Sequence, residues 1–174
     1  MDLLFLTGFM GAGKSAVGPL VAESLGYTYV DLDRVIEQHA GMNIPDIFKN
    51  LGEDAFRDRE SAALRDVATR EGCVVSTGGG AVIREENRRL MAASGHVVCL
   101  SASPEAIVRR TQKGRSKRPV LGEGGDLLAQ VTGLLEERTP YYQQCHHIID
   151  TTDRPVTQVA DEVVRLHREG AWRG

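Results

Sequence analysis

The sequence has little of what marks several large classes of protein. Its formal net charge is −3, so it lacks the basic excess of a general nucleic-acid-binding protein. It contains three cysteines and no CxxC pair, so neither a disulfide framework nor a zinc site is predicted. The first residues are acidic and apolar where a signal peptide is basic, and no apolar run approaches the ~20 residues that a membrane helix needs. We therefore expect a cytoplasmic protein with no nucleic-acid or membrane partner.

The length and composition are those of one ordinary globular domain. A chain of 174 residues suits one compact domain and is short for two. Hydrophobic residues make up 41% and charged residues 26%, which are usual proportions for a protein with a packed core. No repeat or low-complexity segment divides the chain, so we expect a single domain over residues 1–174. No apolar stripe demands a partner, so a monomer is expected.

Short apolar runs alternate with longer amphipathic runs, which is typical of helices packed on a parallel sheet. Strands are predicted at 3–7, 27–30, 74–77, 96–100 and 147–150. Helices are predicted at 14–25, 33–39, 45–70, 84–93, from Pro104 onward, at 127–142 and at 155–168, with breaks at Gly41 and Gly52. The predicted fold is a three-layer α/β/α domain with a five-stranded parallel sheet. Residues 113–126 lack apolar periodicity and are predicted to form a mobile loop.

The segment GFMGAGKS at residues 8–15 fits the phosphate-loop pattern G-x-x-x-x-G-K-[ST] without a gap. It follows an apolar strand and opens a helix, so backbone N–H groups can converge on phosphate oxygens at a helix N-terminus. Lys14 can reach the β- and γ-phosphates, and Ser15 can place its hydroxyl on Mg²⁺. The alternative is a glycine-rich turn without a ligand. Strand, lysine and serine together favour nucleotide binding.

Two carboxylates follow the second predicted strand. Asp31 and Asp33 are two residues apart, and on an extended segment such side chains point the same way. In open α/β sheets the ligand crevice lies beyond the carboxyl ends of the strands, where this pair is predicted. Mg²⁺ or a substrate hydroxyl would relieve the repulsion between them. The alternative is that one of them, Asp31 in particular, caps the following helix.

Two further segments carry an open choice between a structural and a functional interpretation. GEDAFRDRE at residues 52–60 has the charge pattern of a solvated helix face, and we expect that of Arg59 and Glu60. Three consecutive glycines at residues 78–80 are costly in backbone entropy, so something is expected to approach the backbone closely there. A bare loop turn is the competing explanation.

Two arginines differ from the basic residues around them. Six of the ten residues from 109 to 118 are basic, and most of such a run is expected to be a solvated face. Arg118 is the exception, because the Pro-Val-Leu sequence after it would anchor a loop against the body of the protein. Arg138 lies late in a predicted helix, where capping of the last carbonyls is the alternative role.

Taken together, these segments resemble the shikimate kinases along nearly the whole chain. The resemblance is carried by GFMGAGKS at 8–15, DLD at 31–33, GEDAFRDRE at 52–60, STGGGA at 76–81, KRPVL at 117–121 and ERTPYY at 137–142. The phosphate loop alone is shared by many unrelated proteins, and the co-occurrence of the other five motifs makes the resemblance specific. It implies a five-stranded parallel sheet like that of nucleoside monophosphate kinases, with ATP, shikimate and Mg²⁺ as ligands.

On the acceptor side, the resemblance implies a shikimate-binding region at about 31–61 together with the triple glycine. Substrate contacts are implied for Asp33, Arg57, Gly78, Gly79, Gly80 and Arg138. Arg57 and Arg138 would hold the carboxylate, because the planar guanidinium matches a carboxylate with two parallel hydrogen bonds. Asp33 would contact the hydroxyl that attacks the γ-phosphate, either removing its proton or orienting it.

On the nucleotide side, the resemblance implies ATP contacts for Gly11, Ala12, Gly13, Lys14, Ser15, Ala16, Arg110, Arg118, Arg154 and Pro155. Arg110 and the Arg154–Pro155 pair resemble a platform on which a guanidinium stacks against adenine. Closure of a lid at 112–125 would deliver Arg118 to the phosphates, so Lys14, Asp33 and Arg118 are the implied catalytic residues. Ser15 would bind Mg²⁺ directly and Asp31 through water.

Three other functions share the phosphate loop. Another small-molecule kinase, such as a gluconate kinase, would keep the loop but does not need two arginines for a carboxylate beside a triple glycine. A nucleoside monophosphate kinase would need a pocket for a second base, which the sequence does not suggest. A regulator that binds nucleotide without catalysis should have lost Asp33, Arg57 or Arg118, and all three are present.

Overall fold

The computed structural model describes residues 2–113, 126–170 and 172. Its strands are β1 (Leu3–Thr7), β2 (Thr28–Asp31), β3 (Cys73–Ser76), β4 (His96–Ser101) and β5 (His147–Asp150). The helices within these residues are α1 (Lys14–Leu25), α2 (Leu32–Ala40), α3 (Ile44–Val67), α4 (Glu85–Ser94), α5 (Pro104–Lys113), α6 (Leu127–Tyr142) and α7 (Val156–Glu169). None of these helices is both long and apolar enough to cross a membrane.

The five strands form one parallel sheet in the order β2-β3-β1-β4-β5. Strand β1 lies in the centre and pairs with β3 on one side and β4 on the other. Because parallel strands end at the same edge, the segments that follow β1, β2 and β3 meet there. The phosphate loop therefore lies beside both the Asp31 segment and the triple glycine.

Alternation along β1 divides the core into two layers. Leu3 and Phe5 pack on the face covered by α2 and α3, while Leu4 and Leu6 pack on the face covered by α1 and α7. All five residues of β1 are buried, as expected of a central parallel strand with helices on both faces. The three-layer α/β/α fold predicted from the sequence is confirmed.

The predicted boundaries agree closely with the structure. The bounds of β1, β5, α1 and α6 are those predicted, and glycines end or interrupt helices where expected: Gly26 and Gly41 follow α1 and α2 with positive φ. Gly52 breaks the helical path inside α3 with φ 84° and ψ 172°. Helix α3 ends three residues before the predicted residue 70. Most of the predicted lid, residues 114–125 with Arg118, lies outside the described residues.

Candidate active site

The phosphate loop joins the buried strand β1 to helix α1. Gly8 and Gly13 have φ values of 129° and 106°, which residues with a side chain rarely adopt. A Cβ at Gly8 would also lie 2.1 Å from the carbonyl oxygen of Leu100 on the neighbouring strand β4. Glycine at the start of the loop is therefore required both by its conformation and by close packing on the sheet.

Lys14 lies at the start of α1 and is buried. Its Nζ donates to the carbonyl oxygens of Gly8 at 2.6 Å and Phe9 at 2.9 Å, both in the loop that precedes it. Two backbone carbonyls thus compensate a buried ammonium that would otherwise be costly to desolvate. The interaction holds the positive charge against the concave loop.

A cavity of about 250 Å³ opens beside the loop, where β1, β2 and β3 end. Its lining includes the predicted residues Gly11, Gly13, Lys14, Ser15, Ala16, Asp31, Asp33 and Arg110. The cavity also contacts Ser76 and Thr77, which the sequence analysis did not assign. Ala12 is different, because it is fully buried in the core and its N–H donates to the Phe9 oxygen at 3.1 Å.

The two carboxylates share this cavity by a different geometry from the one predicted. Asp31 ends β2, but Asp33 lies in the first turn of α2 rather than on an extended segment. The Asp31 side chain caps α2, since its Oδ1 accepts from the Asp33 N–H at 3.0 Å. The capping role considered for Asp31 is therefore present, and it brings both carboxylates to the same opening.

The donors in this cavity suit Mg²⁺ in part. The Ser15 hydroxyl and the Asp31 and Asp33 carboxylates all supply oxygen, which is the ligand that Mg²⁺ prefers. Within residues 2–113 and 126–170, no group of three or more His, Cys, Asp or Glu side chains could hold a metal ion. The residues fit an ion completed by waters and nucleotide phosphates, as is usual for Mg²⁺ in phosphoryl transfer.

Arg57 is held between two carboxylates on α3. Its guanidinium contacts Glu60 at 2.8 Å and Glu53 at 3.1 Å and lies 5.2 Å from the centre of the Phe56 ring. Burial lowers the pKa of Arg57, but both carboxylates raise it, with a net upward shift. The arginine is thus charged, oriented and only 7% exposed.

Glu60 was wrongly predicted to lie on a solvated face. It is 1% exposed, and burial raises its pKa, opposed by the charge of Arg57. Its Oε2 accepts from Arg57, while its buried Oε1 has no hydrogen-bond partner among the described residues. An i,i+3 ion pair has the same sequence pattern on an exposed or a buried face, so periodicity alone could not separate the two.

The triple glycine leaves space for four neighbours, which are three side chains and the backbone of the phosphate loop. A Cβ at Gly78 would lie 3.0 Å from Glu60 Oε1 and 3.1 Å from Asp33 Oδ1. A Cβ at Gly79 would meet the phosphate loop backbone at 3.4 Å. At Gly80 it would lie 2.3 Å from the Arg57 guanidinium. The predicted close approach is present, and the groups that approach are the side chains of Asp33, Arg57 and Glu60 and the backbone of the phosphate loop.

Arg138 enters the same region from α6. It is buried and lies 5.7 Å from the centre of the Phe9 ring. Within the described part of the chain, its Nε is buried without a hydrogen-bond partner. One turn later, the Tyr142 hydroxyl donates to the Gly79 oxygen at 2.6 Å. The sequence analysis did not assign Tyr142; only its place at the end of the ERTPYY motif hinted at it.

Arg110, one of the residues of the predicted adenine platform, has a structural role. The Arg110 guanidinium donates to the oxygens of Gly11 at 3.1 Å and Thr152 at 3.0 Å, so it ties the phosphate loop to the turn after β5. Arg154 forms an ion pair with Glu162 at 2.6 Å. Pro155 precedes α7 as its N-cap. Arg110 therefore borders the loop, and Arg118 lies outside the described residues.

Comparisons with known proteins agree on one family. The model of the shikimate kinase family matches residues 10–168. The chain is 41% identical over 170 residues to a shikimate kinase of Thermus thermophilus, covering 97% of this chain and 92% of that protein. It is 44% identical over 162 residues to one from Geobacter metallireducens, covering 92% and 88%.

Solved structures give the same result. Shikimate kinase from Acinetobacter baumannii in complex with shikimate superposes with a TM-score of 0.91 and 35% identity, covering 98% of this chain and 95% of that one. A gluconokinase from Sinorhizobium meliloti, 18% identical with a TM-score of 0.63 over 99% and 97% of the two chains, shares the fold alone. This chain belongs to the shikimate kinase family of ATP-dependent transferases.

Proposed function

We propose that this protein transfers the γ-phosphate of MgATP to the 3-hydroxyl of shikimate, giving shikimate 3-phosphate and ADP. The observation that carries the proposal is the packing of the triple glycine between the phosphate loop and the buried arginine Arg57. A phosphate-binding element and a cationic acceptor site are thereby adjacent. The shikimate complex of the Acinetobacter baumannii relative supports the choice of acceptor.

The nucleotide would bind along the loop. Backbone N–H groups of Gly11, Gly13 and Ser15, at the N-terminus of α1, favour phosphate oxygens. Lys14, already held over the loop, would contact the β- and γ-phosphates. When bound by Ser15 and, through water, by Asp31, Mg²⁺ neutralises charge that develops on the phosphates.

The acceptor would bind on the opposite side of the triple glycine. Arg57 and Arg138 would hold the carboxylate of shikimate, and the Gly79 backbone would contact its ring substituents. Asp33, whose Oδ1 lies against Gly78, would hold the attacking hydroxyl in line with the γ-phosphate. Lys14 and Arg118 would stabilise the charge on the transferring group. Positioning and charge neutralisation account for most catalysis in such a loose transition state.

An assay of ADP release from MgATP with different acceptors tests this function. Turnover is expected with shikimate and not with gluconate, a nucleoside monophosphate or no acceptor. Asp33→Asn should lower kcat by roughly a thousandfold, since it loses a charge at the reacting hydroxyl. Turnover with another acceptor, or none above background, would refute the assignment.

Arg57→Ala tests the acceptor site and has a matched control. It should raise the KM for shikimate by roughly a hundredfold, because a charge-assisted bidentate contact is lost. Arg70→Ala removes a nearby arginine that pairs with Asp66 on the exposed surface. The KM for shikimate and the KM for ATP should both stay unchanged in this variant. An equal effect of both substitutions would contradict the proposed role of Arg57.

We also propose that the protein acts as a monomer in the cytoplasm, where ATP is available. Sedimentation or light scattering at the concentration of the assay tests the monomer. A dimer mass there would contradict it.

A further inference from the structure

Tyr142 stands out among the residues around the proposed acceptor site, because no role has yet been assigned to it. It is the last residue of α6 and is 7% exposed. Its hydroxyl reaches across 63 positions of sequence to donate to the Gly79 oxygen at 2.6 Å. A buried phenol with a short hydrogen bond to the backbone of a glycine segment fixes that segment more strongly than packing alone.

The same hydroxyl lies near Arg138, which is buried one turn earlier on α6. Burial raises the pKa of Tyr142, so the phenol keeps its proton and donates it to Gly79, and the positive charge of Arg138 acts on the phenol. A charge beside the phenol polarises its O–H bond and strengthens the hydrogen bond to Gly79.

The bond to Gly79 also sets the orientation of a peptide unit. In a trans peptide the C=O of Gly79 and the N–H of Gly80 point in opposite directions. Glycine has no side chain to restrict rotation of that peptide, so the hydrogen bond from Tyr142 supplies the restriction. Gly80, the second residue of this peptide unit, lies against the Arg57 guanidinium.

We propose that Tyr142 is a positioning residue for the acceptor, which aligns Arg138 and the Gly79–Gly80 peptide through one hydroxyl. The proposal rests on the proposed function, because both groups are there assigned to shikimate. Tyr142 need not touch the substrate. It makes the two contacts interdependent, so that an acceptor which orders one of them also orders the other.

Tyr142→Phe removes one oxygen and keeps the ring. The KM for shikimate should rise about tenfold, as expected for losing a buried hydrogen bond next to a charged group, while the KM for ATP stays within about twofold. Tyr141→Phe is the matched control: this neighbouring ring packs under the Arg88 guanidinium at 4.9 Å, and both KM values should be unchanged. Thermal melting confirms that each variant is folded.

A double-mutant cycle separates positioning from general loosening. Arg138→Lys keeps the charge but loses the planar fork. In that background Tyr142→Phe should raise the KM for shikimate by less than about threefold, because the partner through which it acts is already impaired. The proposal would be overturned if the two substitutions raised the KM for shikimate by factors that multiply in the double variant. It would also be overturned if Tyr142→Phe alone raised the KM for shikimate and the KM for ATP equally, or left the KM for shikimate unchanged.

Hydrogen exchange on the unaltered protein gives a test that does not require the variant to fold. Shikimate should slow amide exchange at residues 79–81 and at 138–142 together, whereas ADP alone should slow neither. Slowing at only one of the two segments would contradict the coupling through Tyr142. Absence of turnover of shikimate by the unaltered protein would instead refute the proposed function itself.

Discussion

The buried ionisable side chains at the two ends of the central sheet have opposite kinds of surroundings. At the carboxyl ends of the strands, the buried side chains of Arg57 and Glu60 form a pair at 2.8 Å. At the amino ends, four of the five histidines of the chain gather around the first residues of β4 and β5, where their rings contact one another. Arg57 at the carboxyl end keeps its charge, whereas His96 at the amino end is neutral.

The histidine end is built on a chain of ring contacts. His96, fully buried, has one ring nitrogen 3.2 Å from His167 and the other 2.8 Å from His147. His146 accepts from the Val97 N–H at 2.9 Å, and Trp172 stacks on the His96 ring with centres 5.2 Å apart. Burial, and then the neighbouring histidines, lower the pKa of His96 to about 3.

The difference shows that burial alone does not decide what a titratable group does. A buried charge paired at short range stays charged and can recognise an ion, as Arg57 does beside Glu60. A buried base without an acid beside it becomes neutral and serves as packing that can still hydrogen-bond. The following expectations test each end of the sheet separately.

Of the three variants that compare the two ends, the largest effect is expected from breaking the buried pair of Arg57 and Glu60. Among the described residues, Glu60→Gln leaves Arg57 with the exposed Glu53 as its acidic partner, so its guanidinium should turn away from the proposed acceptor site. We expect kcat/KM for shikimate to fall roughly a hundredfold, which corresponds to about 2.7 kcal/mol. Asp66→Asn breaks the exposed pair with Arg70 and should change kcat/KM by less than about twofold. Similar losses in both variants would show that the buried pair is not special.

The histidine end should respond to acid. Because the folded state lowers the pKa of His96 from 6.5 to about 3, the unfolded state binds the proton more readily. This contribution to stability is present above pH 6.5 and is lost as the pH falls below it toward the folded value. The free energy of unfolding should therefore decrease by about 1.5 kcal/mol between pH 6.5 and pH 5 from His96 alone.

Urea unfolding at both pH values measures this decrease. His96→Phe should flatten the pH dependence in that range, whereas His39→Gln, an exposed histidine, should leave it unchanged. A pH dependence in His96→Phe as steep as in the unaltered chain would show that the loss of stability arises elsewhere.

The smallest effect is expected at Gly80. Ala at this position places a Cβ 2.3 Å from the end of the Arg57 side chain, which can shift because it is flexible. The KM for shikimate should rise about tenfold with the KM for ATP unchanged. Gly133→Ala is the control, since its Cβ meets nothing within 4 Å on α6, and it should only stabilise the fold by about 0.5–1 kcal/mol. An unaltered KM in Gly80→Ala would mean that Arg57 does not need that space.

The sequence predicted the carboxyl end far better than the amino end. Glycines, the lysine and the alternating apolar runs are local signals, and they were enough for the sheet, α1 and the phosphate loop. The histidine end joins residues 27, 96, 146–147 and 167, whose contacts no local pattern specifies. Glu60 and Tyr142 were missed for the same reason, because their partners are known only once α3, α6 and the triple glycine are packed together.

The place of each substrate element in the sheet order has a mechanical consequence. The phosphate loop grows from β1, a strand clamped on both sides and buried along its whole length. Helices α2 and α3, which carry the proposed acceptor residues, follow β2, an edge strand that within the described part of the chain pairs with β3, and α3 is interrupted at Gly52. Segments with fewer neighbours open at lower free energy. We therefore expect the phosphate loop to stay fixed, and we expect any motion that brings the two substrates together to occur on the proposed acceptor side.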